Sequence, residues 1–173
     1  VGPTATFARP FTGSRNCFFA ARVALDVVTT VKVELGFTDV YNDAGAVDSL
    51  AGNTFTAGDA AVWCFDTADN TLWQGCAVQA GTAITKLEPT AGELAGPVAD
   101  TFQTMAVQIE GTAVRFLAFN ADGGLDYDSG FVASGMTAAT TLTPWMFVQL
   151  RGAVDRNLDV DFLYVTQRRS ANN

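Results

Sequence analysis

Polar and apolar positions alternate along most of this chain. The cleanest run is Val31–Thr38, where Val31, Val33, Leu35 and Phe37 are separated by Lys32, Glu34, Gly36 and Thr38. At a period of two, an extended chain sends successive side chains to opposite faces, so the run predicts a strand with one face in a core and one in water. Residues 17–26 read the same way, with Phe19, Ala21, Val23 and Leu25 on one side and Arg22 and Asp26 on the other. Further on, Leu158, Val160, Phe162 and Tyr164 alternate with Asp159 and Asp161, which predicts a third strand whose apolar residues share one face.

Two β-favouring runs, residues 60–65 and 73–79, flank the turn-rich stretch 66–72 and predict a hairpin. Val62 and Val78 fall on one side of it and Trp63, Phe65 and Trp73 on the other, so the pair is expected inside a sheet covered on both faces. A symmetric turn sets Cys64 opposite Cys76. A cross-strand disulfide and two free buried thiols are both open to that pair, and a reducing cytoplasm favours the thiols. Residues 105–110 and 114–119 form a second hairpin about Gly111, Thr112 and Ala113, with Met105, Val107 and Ile109 on a common face. Further strands are expected at 84–88, 127–132 and 145–150.

No segment carries the 3.6-residue stripe of an amphipathic helix. Roughly ten strands on short turns predict an all-β domain, a two-sheet antiparallel jelly-roll sandwich. The loops 42–55 and 89–100 exceed ordinary hairpin connections, where functional contacts are often carried. The organisation that follows is an N-terminal arm at residues 1–16, the sandwich at 17–169 and a short C-terminal tail at 170–173.

Charge and composition narrow the partners. The chain has 173 residues, 49% apolar and 16% charged, with 18 acidic residues against 10 basic ones and a formal net charge of −8. A domain of this size buries roughly two thirds of its unfolded surface without a disulfide or metal. Clustered cations, on which nucleic-acid and anionic-membrane affinity rests, are missing, so neither partner is expected. No stretch approaches the roughly 20 apolar residues of a spanning helix. The first residue is Val, consistent with removal of a Met or of a longer leader. Histidine is absent, which removes Ser-His-Asp and Cys-His catalysis together with histidine-based metal sites. Cys17, Cys64 and Cys76 lack zinc-ligand spacing.

The hairpin from Thr104 to Phe119 and the strand from Leu158 to Arg168 resemble the corresponding elements of the concanavalin-A-like lectin and glucanase superfamily, the latter being similar to the closing strand of laminarinase-type enzymes. The stretches 33–39, 59–66 and 142–149 also resemble jelly-roll domains of tailed-bacteriophage structural proteins, over residues 17–169 in all. The resemblance implies a concanavalin-A-like sandwich in a virion component assembled in the host cytoplasm. A capsid decoration protein bound to the major capsid protein is the first expectation. The rival is a carbohydrate-binding domain of a tail fibre or spike, or of a secreted protein.

Glucanases of that superfamily spell Glu-x-Asp-x-x-Glu on one strand, because glycoside cleavage needs paired carboxylates. Here Glu34, Glu88, Glu93 and Glu110 never share a strand, and Asp159 with Asp161 lacks a third acid. No catalytic residue is therefore assigned and no enzyme activity is expected. Asp159 and Asp161 read as a solvated face. Asn120, Asp122, Asp126 and Asp128 around Gly123 and Gly124 offer the oxygen ligands calcium takes, although a glycine-rich turn more often holds such residues for backbone reasons. No other cofactor is implied. Trp63, Trp73 and Trp145 lie in phase with core positions, which leaves Tyr41 and Tyr127, set among Asn and Asp residues, as the better sugar contacts. In the arm, Phe7, Pro10 and Phe11 fit no strand pattern and are expected to lie across a neighbouring virion subunit or a second copy in a homo-oligomer such as a trimer.

Overall fold

The computed structural model describes residues 11–168. Twelve strands run in chain order: β1 (Cys17–Leu25), β2 (Val31–Thr38), β3 (Val47–Ser49), β4 (Thr54–Phe55), β5 (Ala60–Asp66), β6 (Gln74–Gln79), β7 (Thr82–Leu87), β8 (Gln103–Glu110), β9 (Ala113–Phe119), β10 (Leu125–Val132), β11 (Thr143–Leu150) and β12 (Leu158–Gln167). Among the described residues the only helical element is a 3-10 turn at Gly13–Arg15. Two five-stranded antiparallel sheets carry the fold, one in the order β10-β9-β8-β1-β12 and the other in the order β11-β2-β5-β6-β7, with β3 and β4 paired separately. The chain is an all-β sandwich, as its alternation predicts.

The core lies between the sheets. Phe19, Ala21 and Val23 of β1 and Met105, Val107 and Ile109 of β8 meet Val33, Leu35 and Phe37 of β2 and Trp63 and Phe65 of β5. Trp63 bridges the layers. Its ring packs edge-on against Phe116 at 5.4 Å, and its indole Nε1–H donates to the backbone oxygens of Ala106 at 3.0 Å and Leu117 at 3.2 Å. A buried indole N–H needs such a partner, and here the partners belong to the opposite sheet. Gly75 leaves room for this packing, since a Cβ there would stand 2.9 Å from Phe116 Cγ.

Three features differ from the pattern reading. The polar face of β2 is dry: Lys32, Glu34 and Thr38 are fully buried. Residues 40–57, which contain β3 and β4, lie over that face and bury Val47, Leu50, Ala46 and Ala57 against Val62, Cys64, Cys76 and Val78. Lys32 and Glu34 pin the cover. Lys32 Nζ lies 2.9 Å from Glu34 Oε1 and donates to the backbone oxygens of Ala44 and Val47, while Glu34 accepts from the N–H groups of Ala46 and Val47 and from Trp145 Nε1. Alternation reports which side chains share a face and cannot report that a later segment folds over that face.

The second difference is the register of β5 with β6. Cys64 stands opposite Gln74 and Cys76 opposite Val62, so the cysteines are diagonal neighbours. The connection from Asp66 to Gln74 is asymmetric, with the N–H groups of Asp69 and Asn70 both donating to Asp66 O. All three cysteines are free and buried. Burial pushes the thiol of Cys17 up to about 11 and raises those of Cys64 and Cys76 well above the ordinary range.

The third difference is a β-bulge in β12. Against β1, Phe162 pairs with Arg22 and Val160 with Val23, leaving Asp161 as the extra residue. One inserted residue reverses the face of everything after it. Leu158 and Val160 therefore lie on the core side, while Phe162 and Tyr164 turn outward and Leu163 and Val165 turn inward.

At the N-terminal end, Phe11 and the 3-10 turn are built into the sandwich. Phe11 bridges Leu142 and its ring lies 5.7 Å from Phe37, while Ser14 N–H donates to Ala138 O and Gly111 N–H to Gly13 O. The other two arm residues of interest, Phe7 and Pro10, lie outside the described residues.

Candidate functional site

The two sheets differ in what lies outside them. The outer face of the β2 sheet is covered by residues 40–57. The outer face of the β1 sheet has no covering layer among the described residues, and its side chains form a relief that follows directly from the register.

Across five strands, Tyr164, Ala20, Ala106, Leu117 and Asp128 stand directly opposite one another in one row. Two residues away along four of the strands, and three along the irregular β10, Phe162, Arg22, Thr104, Phe119 and Leu125 form a second row. On the other side Thr166, Phe18, Gln108, Arg115 and Phe131 form a third. The middle of the central row is short, and Ala20, Ala106 and Leu117 are buried beneath Phe18 and Phe119 although they face outward. The register thus sets a low row between two taller ones across the strands, a trough so shallow that the flanking rings leave its floor almost without solvent exposure. With strands spaced 4.7–4.9 Å apart, it is roughly 19 Å long.

The walls have a repeating chemistry. One reads Phe162, Arg22, Thr104, Phe119, Leu125 and the other Thr166, Phe18, Gln108, Arg115, Phe131, so each carries two aromatic rings with two hydrogen-bonding groups between them. Phe18 and Tyr164 lie 6.2 Å apart at 59°, closing one end of the trough. At the other end, Arg115 Nε donates to Asp128 Oδ1 at 2.8 Å, Arg115 Nη2 donates to Asp128 Oδ2, and the guanidinium stands 5.6 Å from the Phe131 ring. The Arg115 guanidinium, helped by the Gly130 N–H, holds the Asp128 carboxyl down to about 2. Arg22 donates to Asp161 at 2.7 Å and to the backbone oxygen of Ala121, and lies 4.7 Å over the Phe102 ring. Both guanidiniums are thus paired with carboxylates, set near aromatic rings, and left with further N–H donors. From beneath, the indole of Trp63 ties together the backbone of floor residues Ala106 and Leu117.

A surface of aromatic faces alternating with fixed planar donors and acceptors suits a ligand that itself has apolar faces and polar edges. It does not suit a polyanion, because its cations are already paired.

The residues singled out from sequence fall in several places. Tyr127 lies on the inner side of β10, opposite Ala118, with its ring 5.7 Å from Trp63. Tyr41 is 69% exposed and lies in the cover of the other sheet, so the two tyrosines do not meet on one surface. Asn120 Oδ1 accepts from the N–H groups of Asp122 and Gly124, which is the backbone use of an Asx residue in a turn. Asp128 is engaged by Arg115, and no three Cys, Asp or Glu residues among the described residues are grouped to hold a metal ion. Asp161 is paired with Arg22. Trp63 and Trp73 are core residues, whereas Trp145 is half-buried and stacked on Phe147 at 5.5 Å and 14°. The trough residues Phe18, Arg22, Gln108 and Arg115 were not identified from sequence, because their proximity is created by strand order alone.

No family model and no curated protein matches this chain. Solved structures with a similar fold do exist. The CBM2 module of the evolved Dit of Lactobacillus casei BL23 phage J-1 has a TM-score of 0.55 at 12% identity, covering 89% of this chain and 62% of that one. The carbohydrate esterase vb_24B_21 of the Shiga toxin-encoding bacteriophage phi24B has a TM-score of 0.45 at 14% identity, covering 91% of this chain and 70% of that one. This chain spans less than two thirds of the phage J-1 module structure, and the likeness to it is one of fold.

Proposed function

We propose that this chain is a non-catalytic carbohydrate-binding domain of a bacteriophage tail component, and that it holds an extended glycan in the trough across the β1 sheet. The observation that carries the reading is the relief itself: a floor of Ala20, Ala106 and Leu117 between walls that alternate aromatic rings with Arg22, Thr104, Gln108 and Arg115. Sugar rings present C–H faces to aromatic groups and hydroxyls to planar donors and acceptors, and the trough offers both along one line. The fold likeness to a CBM2 module from a phage Dit supports the same reading. A concanavalin-A-like sandwich remains the fold-family proposal. The expected capsid-decoration role finds no support in either similar structure, and no feature of the described surface favours it.

The carboxylates support binding without turnover. Glu34 is sealed against Lys32, Glu88 pairs with Lys86, Glu93 accepts from Thr90, and Glu110 accepts from Gln108. None stands beside a second free acid in the trough, as glycoside hydrolysis would require. A glycan array probed with the chain, with Arg115→Ala and with Ala20→Leu tests the reading. The account expects a defined set of bound glycans, weakened by loss of the wall and by filling of the floor. Absence of any bound glycan, or binding untouched by both changes, contradicts it.

A further inference from the structure

Among the described residues, four of the ten large exposed apolar side chains lie on one strand. Val160, Phe162, Leu163 and Tyr164 of β12 are 47%, 41%, 51% and 55% exposed, and Leu150 and Val154, which lead into it, are 42% and 63% exposed. β12 is an edge strand, so one row of its N–H and C=O groups has no partner strand among the described residues. From Phe162 to Gln167 it is free of charge in a chain whose formal net charge is −8.

The opposite edge of the same sheet also exposes Leu125 and Phe131, but its pairing edge is guarded. β10 carries Asp126 and Asp128, and its pairing with β9 is interrupted by register shifts between Leu125 and Tyr127 and between Asp128 and Phe131. Acids and bulges are the ordinary means by which a sheet edge is kept from pairing. In β12 they stop at the Asp161 bulge, and the six residues beyond it are unguarded.

We infer that the β12 edge, unpaired among the described residues, is where a second copy of this chain docks, pairing β12 with β12 antiparallel about a two-fold axis. Charge selects both partner and direction. Asp159 lies next to the first residue of β12, with Asp161 already paired with Arg22 of its own chain, and Arg168 directly follows the last residue. Antiparallel self-pairing brings the basic end of each copy alongside the acidic end of the other, whereas parallel pairing sets acid against acid. With the two-fold axis at Leu163, outward Phe162 opposes Tyr164 and inward Leu163 opposes its own copy, so aromatic meets aromatic and aliphatic meets aliphatic. Such an interface is isologous and closes after two copies. It makes the β1 sheet continuous across the pair and brings the Tyr164 ends of two troughs together.

This inference does not depend on the glycan reading. Sedimentation equilibrium from sub-micromolar to about 100 μM tests it, a span that brackets ordinary self-association constants. The expected result is a dimer whose β12 amides gain hydrogen-exchange protection with concentration. Leu163→Asp should weaken dimerisation by about 100-fold, in the range of a central interface position, while circular dichroism remains unchanged. Arg168→Glu should weaken it less, and adding Asp159→Arg should restore it. A monomer throughout the range, a dimer indifferent to Leu163→Asp, or protection appearing on β10 instead would overturn the inference. Leu163 faces away from the trough, so the monomeric variant should still bind glycan, and either reading can fail alone.

Discussion

At the scale of single residues, the trough depends on how its guanidiniums are held. The Asp128 side chain is 30% exposed, and the Arg115 guanidinium and then the Gly130 N–H lower its carboxyl to about 2. A depressed carboxyl contributes stability above its unfolded value, near 3.9, and loses that contribution as pH falls through the folded value. The Arg115 to Asp128 clamp should therefore persist from neutral pH down to about pH 3 and open only below that. Carboxyl-carbon NMR titration should place Asp128 near 2 in the native chain and return it to the ordinary aspartate range in Arg115→Ala. An Asp128 that titrates normally in the native chain would mean the clamp does not form in solution. Asp128 was visible in the sequence as a candidate calcium ligand. In the structure Asp128 bonds Arg115 across a hairpin, a partner that spacing alone did not reveal.

At the scale of elements, alternation located β1, β2, β5, β6, β8, β9 and β12 and the faces of most of them, because a strand's period of two is local information. It failed where a distant segment or an inserted residue intervened. β2 was expected to have a wet face, and residues 40–57 cover it. β12 was expected to present Leu158, Val160, Phe162 and Tyr164 together, and the bulge at Asp161 divides them between faces. The cover over β2 yields a prediction. Glu34→Ala leaves Lys32 buried without its countercharge and frees the N–H groups of Ala46 and Val47, so it should cost about 3–5 kcal/mol, the range for breaking a buried pair. Denaturant unfolding measures the loss, and hydrogen exchange should show residues 42–50 opening first. Because the cover lies on the sheet opposite the trough, protein that remains folded should keep its ligand. Loss under about 1 kcal/mol would show that the pair does not hold the cover.

At the scale of the whole molecule, one sheet is sealed and the other left open, and this division gives the fold its candidate surface. The trough is made from five strands whose sequence order is 10, 9, 8, 1, 12, so no local pattern could announce it. Trp63 matters at this scale because its indole reaches from the sealed sheet to the backbone of the open one. The most direct test of the account is an amide NMR titration of the folded chain with a glycan selected from the array. The account predicts that shifts concentrate on Ala20, Ala106, Leu117 and the wall residues Phe18, Arg22, Gln108 and Arg115, and that they shrink in Ala20→Leu. Shifts confined to the surroundings of Tyr41 and the β3 to β4 cover, with the trough silent, would contradict it.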